Sequence, residues 1–126
     1  MLMIKKFLPL FALSLLLASC TTSSLNNLTP TQLPRNVTGL YQIEMALDTS
    51  QHTLRVDSIA PHVVVGFESY PMRPTLKMSN RWEALVPIPA DKSSIDYHFK
   101  VDYEYNKFGK PGQGSLRSGE YKLAIK

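Results

Sequence analysis

Apolar and polar positions alternate most regularly between residues 95 and 105. Ile95, Tyr97, Phe99, Val101, Tyr103 and Tyr105 fall on one side of an extended chain, and Asp96, His98, Lys100, Asp102 and Glu104 on the other. A strand turns successive side chains to opposite faces, so this run predicts the central strand of a half-buried sheet. A second run, residues 40–47, places Tyr41, Ile43, Met45 and Leu47 inward and Gln42 and Glu44 outward. In a third, residues 81–88, Trp82, Ala84, Val86 and Ile88 share a face. Pro87 and Pro89 put that arm at a sheet edge or end it early. Residues 52–59 read as a strand with Leu54 and Val56 inward. The β-branched run 62–66 reads as one buried on both faces, with 68–70 beside it. Residues 75–78 are expected to pair with 81–88 across a Ser79-Asn80 turn. Residues 106–114, with Gly109, Pro111, Gly112 and Gly114, read as a long flexible hairpin loop. A last strand covers 115–126, with Tyr121, Leu123 and Ile125 inward.

No segment after the N-terminal apolar run shows a helical period. Seven or eight short strands joined by polar turns predict an all-β fold. The expected architecture is one immunoglobulin-like Greek-key β-sandwich over residues 37–126. The segment Trp82-Glu83-Ala84-Leu85-Val86-Pro87-Ile88-Pro89, followed by the 95–105 strand, resembles immunoglobulin-like modules of the early-set and starch-binding kind. Residues 20–36 are rich in Thr, Ser, Asn and Pro and show no period. They read as a flexible linker, with a hidden edge strand as the alternative.

The first 19 residues have another character. Lys5 and Lys6 precede an apolar run from Phe7 to Leu17, which ends in Leu17-Ala18-Ser19-Cys20. A positive start, a short apolar middle and small residues at a cut are the layout of a secretory signal. The apolar run is about half of the ~20 residues that a spanning helix needs. The box Leu17, Ala18, Ser19, Cys20 resembles the lipobox of bacterial lipoproteins. The resemblance implies removal of residues 1–19 and attachment of acyl chains, palmitate among them, at Cys20. Two or three chains make a stable anchor, where one gives only reversible binding. Thr21 stands where enteric lipoproteins retained in the inner membrane tend to carry Asp, so the resemblance implies the outer membrane.

Cys20 is the only cysteine, so acylation would leave no thiol for a disulfide or a metal. Loss of Lys5 and Lys6 lowers the 14 basic residues to 12 against 10 acidic ones. The charge falls from +4 to +2, too mild and too scattered to argue for nucleic acid. His52, His62 and His98 lie at no metal-ligand spacing, and no serine sits in a nucleophile elbow. The expectation is a non-enzymatic protein without metal or cofactor. It would be a lipid-anchored interaction or structural module with an envelope protein as partner.

The alternative is a carbohydrate-binding module for an envelope glycan, with Trp82 as a stacking platform. The competing role for Trp82 is core filler beside Ala84 and Val86. An enzyme or inhibitor built from loops 66–74 and 106–114 is a third reading. Phe108, flanked by Lys107 and Lys110, either contacts a partner or headgroup, or folds back to cap the sandwich.

Overall fold

A computed structural model describes residues 22–126. The expected signal segment, residues 1–19, and the 17–20 box lie outside the described residues. The protein is an all-β sandwich. Ten strands run in chain order: β1 (Ser23–Asn27), β2 (Gln32–Leu33), β3 (Leu40–Thr49), β4 (Ala60–Val65), β5 (Glu68–Pro71), β6 (Arg73–Pro74), β7 (Arg81–Pro87), β8 (Ser94–Tyr105), β9 (Gly112–Arg117) and β10 (Tyr121–Ile125). One sheet has the order β1-β3-β7-β6. The other has the order β2-β10-β8-β4-β5, with β9 also paired to β8. A four-stranded sheet and a six-stranded sheet thus pack face to face.

Strand β8 is central, as its alternation predicts. It pairs with β4 on one side, and with β9 and β10 in succession on the other. Tyr97, Phe99 and Val101 are shut off from water; Ile43, Met45 and Val86 join them in the core from the opposite sheet, and Val63 and Leu123 from the neighbouring strands of their own. The Tyr97 and Phe99 rings are 5.7 Å apart edge-on, and Tyr121 packs against both. Burying a side chain such as Phe99 contributes about 2 kcal/mol.

The expected single last strand is two strands separated by a bulge. Arg117 lies opposite Lys100 and Tyr121 opposite Tyr97, so three residues, 118–120, span the distance of two. The extra residue is required by parity. Leu116 faces inward against Val101, and strict alternation from there would turn Glu120 and Lys122 into the core. Adding one residue brings Tyr121 and Leu123 inward instead. Ser118 holds the jog: its Oγ accepts from the Phe99 N–H at 2.8 Å, and its own N–H donates to the Phe99 carbonyl at 3.0 Å.

Five other segments depart from the sequence reading. Residues 23–33 are part of the sandwich, which corrects the 20–36 linker and moves the domain start ahead of 37. β1 pairs with β3 over five residues, and β2 adds in parallel to β10. Between them the chain crosses from one sheet to the other at Thr29-Pro30. There the buried Thr29 hydroxyl donates to the Glu44 carbonyl and accepts from the Glu44 N–H. Residues 52–59 are a crossing rather than a strand. Leu54 makes one bridge to Tyr105, and Val56–Ser58 is a 3-10 turn with Val56 in solvent. Residues 75–78 form a tight turn in which Met78 N–H donates to Thr75 and Lys77 takes a φ of 65°. Strand β4 is buried on one face only: Val63 is enclosed, while Val64 points to the uncovered outer face.

Gly112 and Gly114 belong to β9 and not to a flexible loop. Tyr105 and Tyr103 lie over them across the strand pair, in the space a side chain would need. A Cβ on Gly114 would sit 2.4 Å from the Tyr103 ring, whereas one on Gly119 would meet nothing within 4 Å. Gly114→Val is therefore expected to destabilise the protein by about 1–3 kcal/mol. Gly119→Ala should change the midpoint little. Paired thermal melts would check this, and equal midpoints for the two variants would contradict the stacking account.

Candidate interaction surface

The polar outer face of the larger sheet holds the densest set of titratable side chains. His98 Nδ1 lies 3.1 Å from the Glu120 carboxylate, Arg117 lies 3.9 Å from the same oxygen, and Lys122 lies 3.8 Å from Asp96. These groups pair with one another, Lys122 with Asp96 across neighbouring strands and Arg117 with Glu120 along the chain, as charges on a solvated sheet face do. Among the described residues no group of three His, Cys, Asp or Glu is placed to hold a metal.

Trp82 lies inside, 7% exposed, on the same face of β7 as Ala84 and Val86. It presents no open ring face to a sugar. Phe108 is the opposite case. Its side chain is 106% exposed, at the tip of the β8–β9 loop between exposed Lys107 and Lys110. It does not cap the sandwich.

Exposed apolar side chains gather at the two ends of the sandwich, and the hydrogen bonds define each end. At the near end the chain enters at Thr22. The Thr22 N–H donates to Ser50 Oγ at 2.8 Å, the Ser50 N–H donates to the Thr22 carbonyl at 2.8 Å, and Ser23 Oγ lies 2.7 Å from Thr49 Oγ1. Loops 75–80 and 106–111 emerge beside this point. Leu47 N–H donates to the Asn80 carbonyl, and Asn106 N–H donates to the Thr53 carbonyl. Leu76 is 87% exposed in the first loop, and Phe108 tops the second.

The far end is built around the 34–39 loop. Asn36 Oδ1 accepts from the Thr38 hydroxyl and the Gly39 N–H, both at 2.8 Å, and Asn36 Nδ2 donates to the Leu40 carbonyl at 2.9 Å. Gly39, at φ 72°, lets the loop close. Arg35 ties it to the 88–93 loop by donating to the Ala90 and Lys92 carbonyls at 3.1 and 2.8 Å. The side chain that this fixed loop turns out is Val37, 104% exposed. Beside it an open cleft runs between Leu33, Pro34, Leu40, Tyr41 and Leu85, of which Leu85 is half exposed. Phe67, 108% exposed, tips the two-residue β4–β5 turn at the same end.

The far-end patch was not singled out in the sequence, where Val37 falls in polar surroundings. The Asn36-Val37-Thr38-Gly39 run carries the one signal that could have found it, an Asx-type turn with an apolar residue at its tip. No protein-family model matches the chain, and no curated protein matches it.

Burial of the lone tryptophan gives a direct check. Trp82 emission is expected to be blue-shifted and weakly quenched by iodide until the protein is unfolded. Quenching in the native protein equal to that in the denatured chain would place the ring at the surface.

Proposed function

We propose that the protein is a lipid-anchored component of the bacterial cell envelope, held in the outer membrane by acyl chains on Cys20. Its immunoglobulin-like sandwich serves as a non-enzymatic module that docks an envelope protein. The lipobox at Leu17-Ala18-Ser19-Cys20 supports the anchor. The single observation that carries the docking role is the far-end patch. Val37 is presented by a loop whose every turn is fixed by Asn36 and Arg35, next to the Leu40–Leu85 cleft. An apolar side chain held rigidly in water loses little entropy on binding, so a partner gains most of its burial energy. The glycan-binding alternative rests on Trp82 as its platform, and Trp82 lies in the core.

Two experiments test the two halves. Growth with radiolabelled palmitate should label the wild-type chain, and Cys20→Ser should remove both the label and the membrane association. A labelled Cys20→Ser chain would refute the anchor. For docking, a photoreactive residue at Val37 or Leu85, introduced in cells, should give one protein adduct in defined stoichiometry. Val37→Asp, with the crosslinker at Leu85, should cut its yield at least about tenfold, the effect of losing about 1.4 kcal/mol of apolar contact. Adducts with glycan, or none at either position, would overturn the module reading.

A further inference from the structure

The anchor position bears on which end of the sandwich meets the membrane. Cys20 precedes Thr22 by two residues, which span at most about 7 Å even when fully extended. Thr22 is itself pinned to Ser50, and Ser23 pairs with Thr49 at the first position of β1. No slack separates an acylated Cys20 from the folded domain, so the near end has to sit on the bilayer.

The chemistry of that end suits the position. Loops 75–80 and 106–111 contain Lys77, Lys107 and Lys110 and no acidic residue. None of the three lysines is in an ion pair among the described residues. The nearest carboxylates are largely engaged: Asp48 accepts from Asn26 and Asn80, and Glu104 pairs with Arg55 at 3.4 Å. Asp57 remains exposed in the 3-10 turn. Between the lysines stand Leu76 and Phe108, both turned fully into solvent. The far end differs. Its loops carry Asp91 next to Lys92, Glu68 opens β5 beside Phe67, and the guanidinium of Arg35 is spent on backbone carbonyls. Aromatic rings settle at the headgroup level, lysine stems lie along apolar surface with their ammonium groups at phosphates, and an anionic surface attracts each cation.

We infer that the near end is a lipid-contact face: Phe108 and Leu76 enter the headgroup layer of an anionic bilayer, with Lys77, Lys107 and Lys110 against its phosphates. This face rests on the acylation of Cys20 proposed above. It fixes the sandwich upright, with the Val37 patch directed away from the membrane.

The test uses the full chain, processed in a lipoprotein-competent bacterium, with Leu76→Cys carrying an environment-sensitive nitrobenzoxadiazole dye and Phe67→Cys as the far-end control. Each protein is reconstituted into vesicles of phosphatidylethanolamine and phosphatidylglycerol in equal parts, and intact mass reads the acyl chains separately. The expected result is a blue shift and a several-fold rise in emission at 76, quenched by a nitroxide lipid, with 67 unchanged. Adding Phe108→Ser, Lys107→Glu and Lys110→Glu should remove more than half of that rise. An aqueous spectrum at 76 on protein whose mass carries acyl chains overturns the contact face and leaves the anchor standing. Equal shifts at 76 and 67 also overturn it. An unmodified Cys20 overturns both.

Discussion

Tyr97, Phe99 and Val101 are enclosed on one side of β8, while Asp96, Lys100 and Asp102 are exposed on the other. A strand with two such unlike faces tolerates one register only, because a slip of one residue would exchange them. The partners inherit this constraint. β4 is aligned so that Val63 lies opposite Phe99. β10 is aligned so that Leu123 lies opposite Ile95, which β9 alone could not achieve without the extra residue at 118–120. The bulge is the larger sheet's answer to a parity that the sequence of its last segment does not keep.

That dependence explains what could be read from the sequence. β3 and β8 alternate between unlike environments, so their residues announce themselves. β1 does not: in Ser23-Ser24-Leu25-Asn26-Asn27 the chain lies at an edge, half covered, and only Leu25 packs on the core. Its pairing is backbone bonding reinforced by Ser and Asn side chains, which in sequence look like a linker. Residues 52–59 mislead in the other direction. Leu54 and Val56 mimic alternation, yet the chain there is leaving one sheet for the other and Val56 faces water. Gly112 and Gly114 look like a loop because the rings that cover them, Tyr105 and Tyr103, come from another strand. Of the residues singled out for contact, Phe108 was legible as an aromatic between two lysines. Trp82 was legible as core from its period with Ala84 and Val86. Val37 was hidden, because its significance lies in the hydrogen bonds that Asn36 makes around it.

Both lateral margins of the sandwich are managed in the same way. On one side β1 passes through Thr29-Pro30 into β2. On the other, β5 passes through the buried Met72 into β6. Each chain segment leaves one sheet and joins the other, so these margins offer only short edges, while β9 pairs with β8 alone.

The entry of the chain through β1 has a mechanical consequence. β1 starts at the near end and runs away from it, antiparallel to β3, with five residue pairs in register. Tension between an attachment at the N-terminus and a ligand gripped at the far end would act along the strand axis. Load in that direction is shared by all the cross-strand bonds at once, whereas a sideways pull would peel them singly. A domain loaded in this manner would resist being pulled open, because β1 is sheared and not peeled, and the Thr29–Glu44 bonds lie at the point where the last of that load would arrive.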